Sequence, residues 1–138
     1  VIDENLSRRI LATAAIAGAS GVLLGAFAAH GLADMLTDRG FDSALVAKRV
    51  DQFDVGVRYH LIHAVTLLGL SAVSLGSPNV RRWAARLMLA GMILFSGSLY
   101  LLVLTNVPKL GAITPIGGLA WIAGWLCLLL LAKTGPPE

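Results

Sequence analysis

Charge is scarce in this sequence. Only 14% of the 138 residues are Asp, Glu, Lys or Arg, whereas 57% are hydrophobic. A soluble domain carries about 25% charged and about 45–50% apolar residues, so the composition argues against a water-shielded globular fold and for a membrane protein. Acids are fewer than bases, 8 against 11, which leaves a formal net charge of +3. The bases form no tract. They stand as Arg8-Arg9, Lys48-Arg49 and Arg81-Arg82 with Arg86, each beside an apolar run. Such placement is that of topology anchors, and no nucleic-acid partner is expected.

Cysteine is nearly absent. The single Cys127 lies inside an apolar run, which excludes an intrachain disulfide and a cysteine-based metal site. It reads as a small apolar filler. Catalytic signatures are missing as well. The sequence has no HExxH, no paired ExxH, no nucleophile with a base at a recognisable spacing, no phosphate-cradling glycine loop and no pair of membrane carboxylates. The expectation is a protein that is not an enzyme, with no catalytic residue, no metal and no cofactor. No inverted repeat is visible either, which disfavours a transporter built on repeated halves.

What is present is four apolar runs, about 10–33, 55–75, 84–104 and 112–132, each near the roughly 20 residues that cross a hydrocarbon core. The breaks GSPNVRRW (76–83) and TNVPKLG (105–111) and the terminal TGPPE are rich in turn residues. The expected fold is an all-α, integral membrane four-helix antiparallel bundle forming one transmembrane domain over 1–138. The long break, 34–54, holds five Asp residues. From Ser43, with Asp42 or Ser43 as N-cap, it is expected to form a short interfacial helix or a helical extension of span two. Ala26-Phe27-Ala28 has the form of a signal-peptidase site, but its apolar run exceeds the roughly 7–15 residues of a signal core, so cleavage is not expected.

Four spans put both termini and the second loop on one side, with Arg8, Arg9, Arg81, Arg82, Arg86 and Lys133. The other side has Arg39, Lys48, Arg49 and Lys109, with Arg58 just inside. The positive-inside rule then predicts a multi-pass inner (plasma) membrane protein with both termini cytoplasmic.

Small residues recur at helical spacing: Gly18, Gly21 and Gly25 with Ala14 and Ala28 or Ala29 in span one, Gly91 and Gly97 in span three, and Gly117, Gly118 and Gly124 in span four. In lipid such positions let helix backbones approach closely, and these glycines are the expected packing seam. The same topology collects polar groups in the outer leaflet, where polar groups must be paired or face a cavity. The candidates for a hydrogen-bonded cluster or ligand site are His30, Tyr59, His63, Asn106 and Thr114. On span two, Gln52, Gly56, Tyr59, His63 and Thr66 share a stripe, and His60 points roughly 100° away. Asp54 and Arg58 are spaced as an i,i+4 pair. His30, His60 and His63 raise a metal reading, but hydrogen-bonded structural histidines are the stronger expectation, with His63 paired to span one or four.

GAFAAHGL (25–32), YHLIHAVTLL (59–68), LFSGSLYLL (94–102) and ITPIGGLAWIAGW (113–125) together resemble the YgdD-like family, in the same order and over about residues 10–132. That family comprises small four-span membrane proteins with animal mitochondrial relatives, grouped as a domain of unknown function. The resemblance implies a bacterial inner-membrane location and supplies no activity, cofactor or substrate. One departure is His60, where the family often has Gln, which weakens a metal role that depends on it. The leading expectation is a non-enzymatic accessory or scaffold subunit, with membrane lipids and a larger membrane complex or a homo-oligomer as partners. The alternative is a lipid- or small-ligand-binding protein that uses the polar cluster, and a transporter or metal-dependent enzyme comes third.

Overall fold

The computed structural model describes residues 3–133, and every regular element among them is helical. Helix α1 (Glu4–His30) starts where Asp3 accepts the Leu6 N–H at 3.0 Å, an N-cap that satisfies one orphan donor. It runs unbroken through Ala26-Phe27-Ala28. At Gly31 the chain turns into the short α2 (Leu32–Asp38), which buries Leu32 and Leu36 against Phe53 and Val57. Gly40, in the left-handed region at φ +83°, reverses the chain, a conformation that glycine adopts without a Cβ clash.

Asp42 then caps α3 (Ser43–Ala72) by accepting the Leu45 N–H at 2.8 Å. The polar start of α3 is thus continuous with its apolar half, so the segment from Ser43 is a helical extension and not a separate short helix, while α2 is a short helix that the sequence did not lead one to expect. Helix α4 (Pro78–Gly91) has Ser77 as N-cap and Pro78 in its first turn, where the missing N–H removes no bond. A single π-helical turn (Met92–Ser96) leads into α5 (Gly97–Thr105), which Asn106 ends at φ +53°. A 3₁₀ segment (Pro108–Ala112) joins it to α6 (Thr114–Lys133).

Among the described residues, three helical stretches are long and apolar enough to cross a membrane: Glu4–His30, Pro78–Thr105 and Pro108–Lys133. Helix α3 is 30 residues long, but Lys48, Arg49, Asp51, Asp54 and Arg58 charge its first half. Only its later part matches the expected second run. Asp54 and Arg58 are both exposed and form no ion pair with one another, which corrects the expectation of an i,i+4 pair. Large apolar side chains such as Ile16, Leu23, Val65, Ile93 and Leu119 face outward, as lipid-solvated surface does.

Helix α1 packs along α3, α6 packs along α4, and the π turn and α5 join the two pairs through α3. One core cluster lies at the Asp3 end, with Leu6, Leu70, Ala84 and Leu131; it extends to Met88 and Trp121. A second lies at the His30 end, with Leu32, Phe53, Leu102 and Val103. Several glycines sit tightly against a neighbouring helix, Gly117 against its backbone and Gly124, Gly21 and Gly25 against its side chains. A Cβ on Gly117 would lie 2.8 Å from the Phe95 Cα, one on Gly124 3.0 Å from the Met88 Cε, one on Gly21 2.6 Å from Leu61 Cδ2, and one on Gly25 3.3 Å from Val57 Cγ1.

The seam is narrower than expected. A Cβ on Gly18 would meet nothing within 4 Å, because the contact at that level is made by the buried Ala14, Ala17 and Gly21. Gly97 faces a groove and would meet only the Met92 carbonyl, at 4.0 Å, and Gly118 only Phe95 Cδ2, at 3.9 Å.

Candidate functional site

The five expected cluster residues do not converge. His30 ends α1 on the exposed surface, with no side-chain hydrogen bond among the described residues. Thr114 pairs with Ser98 across the α5–α6 turn, Oγ to Oγ at 2.8 Å. Asn106 serves a third group. Its Oδ1 accepts from Arg49 Nε at 3.0 Å and Nη2 at 2.6 Å, while Arg49 Nη1 donates to Gln52 Oε1 at 2.8 Å. Arg49 is 4% exposed. Its charge is therefore held by amide dipoles at the C-terminus of α5, where a cation is favoured. Arg39 donates to the Leu104 carbonyl at 2.7 Å and closes the same helix end.

Tyr59 and His63 stay together, in an aromatic stack around Trp121. The His63 ring lies 3.8 Å from the Trp121 ring at an interplanar angle of 3°, and Tyr59 stacks on the same indole at 5.7 Å. His63 Nδ1 bonds the Tyr59 carbonyl at 2.7 Å. A carbonyl only accepts, so Nδ1 carries the proton. His63 Nε2 then accepts from Trp125 Nε1, an obligate donor, at 3.4 Å. His63 thus finds its partner on α6, with neither ring nitrogen left over. Trp121 Nε1 donates to the Met88 carbonyl at 3.0 Å. Its indole occupies the space above Gly91, where a Cβ would sit 2.7 Å from the Trp121 Cγ.

His60, set apart from the stripe in the sequence, is 7% exposed and joins three helices. Ser20 donates to the Ala17 carbonyl at 3.1 Å, so its oxygen is free to accept from His60 Nε2 at 3.4 Å. His60 Nδ1 then accepts from the Tyr100 hydroxyl at 3.1 Å. Gly56 makes room for the tyrosine ring, since a Cβ there would lie 2.9 Å from Tyr100 Cε1. His60 and His63 therefore hold opposite tautomers. The three histidines do not meet, and no group of three metal-ligating side chains occurs among the described residues.

The Ser20–His60–Tyr100 relay forms one wall of a groove of about 700 Å³ between α1 and the α4–α5 stretch. Thr13, Ile16, Ala17 and Leu24 line it from α1, and Met92, Ile93, Gly97 and Leu101 from the other side. Sequence reasoning missed this site because His60 lay off the chosen stripe. The available signal was the presence of Ser20 on the small-residue side of α1, opposite a second polar face of α3.

A buried arginine also ties the opposite end together. Arg81, 3% exposed, donates from Nη1 to the Val73 carbonyl and from Nη2 to the Asp3 carbonyl at 3.1 Å. It thereby joins the start of α1, the end of α3 and the start of α4.

The described residues are helical, and three of their stretches are long and apolar enough to cross a membrane, the make-up of a helical membrane protein. The chain belongs to the family described as protein of unknown function (DUF423), whose model matches residues 24–118. It is similar to the UPF0382 inner membrane protein YgdD of Escherichia coli (strain K12), 33% identical over 125 residues that cover 90% of this chain and 88% of that protein. It is also similar to the UPF0382 membrane protein YwdK of Bacillus subtilis (strain 168), 40% identical over 114 residues, 79% of this chain and 83% of the relative. The UPF0382 membrane protein SH2409 of Staphylococcus haemolyticus (strain JCSC1435) is 42% identical over 107 residues, 77% of this chain and 80% of the relative. No solved structure matches.

Proposed function

We propose that this chain is a non-enzymatic, four-span protein of the bacterial inner membrane that holds an apolar chain, such as a lipid tail, in the groove between α1 and α4–α5. The groove carries the reading. Its volume of about 700 Å³ falls in the roughly 300–1,000 Å³ range of ligand pockets, which are mostly apolar with a few fixed polar groups. Its polar wall is already satisfied internally, through Ser20, His60 and Tyr100, so an alkyl chain strips no unpaired donor of water.

Supporting four passes, the apolar half of α3 lies against α1 and spans both core clusters, from Val57 to Leu70. Arg8, Arg9, Arg81, Arg82, Arg86 and Lys133 at the Asp3 end favour that end as cytoplasmic. A non-enzymatic role is supported by His60 and His63, whose four ring nitrogens are all engaged in internal bonds.

A second reading is an accessory or scaffold subunit of a membrane complex or homo-oligomer. The outer face of α1 and α3 favours it. There Gly18 opens onto a depression of about 260 Å³ ringed by Leu11, Ala15, Leu61 and Val65, a shape that admits a neighbouring helix.

Native mass spectrometry of gently extracted protein tests both. The wild type should retain a lipid-mass adduct. Gly97→Leu, which fills the groove, should lose it, and Gly69→Leu, on an open face of α3, should keep it. A wild type without an adduct, or an equal adduct in both variants, would contradict the groove reading. A stoichiometric protein partner in place of lipid would favour the second.

A further inference from the structure

We propose that the occupant of the α1–α4 cleft is an anionic phospholipid, with its phosphodiester head among Arg9, Arg82 and Arg86 and an acyl chain running into the groove. The proposal rests on the groove reading above and adds the headgroup chemistry.

A second concavity of about 190 Å³ lies between α1 and α4 at the Asp3 end. The three arginines line it over a floor that includes Leu6, Ile10 and Leu67. Thr13 and Leu89 line both this concavity and the 700 Å³ groove, so the two adjoin along the α1–α4 cleft. Its polar end is cationic and its remainder apolar, the amphiphilic pattern of a phospholipid.

The charge balance there is incomplete. Of the three guanidinium groups, Arg82 has a carboxylate nearby, Asp3 at 3.7 Å. No acidic side chain among the described residues lies within ion-pair distance of Arg9 or Arg86. Arg86 instead stands 5.3 Å from the ring centre of Trp83, an aromatic of the kind that sits at headgroup level. Like charges drawn from two helices into one cleft repel one another, and an anion between them removes that repulsion. A neutral zwitterionic head brings its own cation into the same cluster and gains less.

The reach also fits. From Arg9 to Leu24, α1 advances about 22 Å at 1.5 Å per residue. One leaflet of a roughly 30 Å hydrocarbon core is about 15 Å deep. The cleft is therefore long enough for one acyl chain to lie in it while the head stays at the interface. Basic pockets between membrane helices on the cytoplasmic side bind anionic heads in this way.

The test exposes detergent-purified full-length protein to an equimolar mixture of phosphatidylglycerol and phosphatidylcholine with identical acyl chains, and reads the bound lipid by native mass spectrometry. Wild type should favour phosphatidylglycerol. Arg9→Gln with Arg86→Gln should lower that preference by roughly fivefold for each arginine lost, while total bound lipid persists. Arg9→Lys with Arg86→Lys should keep it, and Lys109→Gln at the other end should leave it unchanged. Should the Gln pair fail to fold, raising the salt on wild type should lower the preference through screening. No preference in wild type, or a preference indifferent to the Gln pair and to salt, overturns the headgroup assignment and leaves the groove reading standing. No bound lipid at all overturns both.

Discussion

The imidazole of His63 on α3 lies flat on the indole of Trp121 on α6, 3.8 Å away and 3° from parallel. This contact joins the α1–α3 pair to the α4–α6 pair through side chains whose polar edges are all engaged. It predicts that His63→Leu destabilises the fold by about 1–3 kcal/mol through lost stacking and an orphaned Trp125 N–H. Thermal unfolding in detergent measures it. An unchanged midpoint would mean that the stack contributes nothing.

Gly91 is the complement of that stack. A Cβ there lands on the Trp121 ring, and overpacking of this kind costs about 1–3 kcal/mol. Gly91→Leu should displace the indole, break its bond to the Met88 carbonyl and alter tryptophan fluorescence. Gly18→Leu, at an open position, should do neither. Equal behaviour of the two variants would disprove the assignment of close packing.

Arg49 and Asn106 should be strongly coupled. Asn106→Gly preserves the left-handed backbone and removes the acceptor of two guanidinium bonds. That leaves a buried cation held by Gln52 alone, at a cost of about 3–5 kcal/mol. Adding Arg49→Met should recover much of the loss, since the uncompensated charge is then gone. Additive effects in the double-mutant cycle would show that the two residues act independently.

The proposed topology makes a separate prediction. With Cys127 replaced by alanine, Ser77→Cys should resist an impermeant thiol reagent in intact cells and react once they are permeabilised. Labelling from outside would place the Asp3 end on the other face.

The helical fold was legible in the sequence because apolar runs, glycine and proline breaks and the Asp42 cap all act locally. The site was not. Tyr59 and His63 were recognised as one face of α3, but their partner Trp121 lies on α6, and no local pattern fixes the register between two helices so far apart in the chain. His60 was set aside for lying off that face. Helix α3 is covered by α1 on one side and by the π turn and α5 on another, so two of its faces are interior and His60 belongs to the second. Asn106 was grouped with the histidines by depth alone. The buried Arg49 claims it instead, a residue whose charge marked it in the sequence as a surface anchor.

The central claim is that the groove holds an acyl chain. The most direct measurement is the intermolecular magnetisation transfer, in lipid nanodiscs, from acyl methylene protons to the methyl groups of Ala17 and Met92. Both residues line the groove and are 6% exposed, whereas Leu23 lies outside the groove lining, is 72% exposed and touches bulk lipid in any case. The account predicts methylene cross-peaks to all three in the wild type, and loss of those to Ala17 and Met92 alone in Gly97→Leu. Cross-peaks to Leu23 only, in a wild type whose Ala17 and Met92 methyl groups see none, would contradict it.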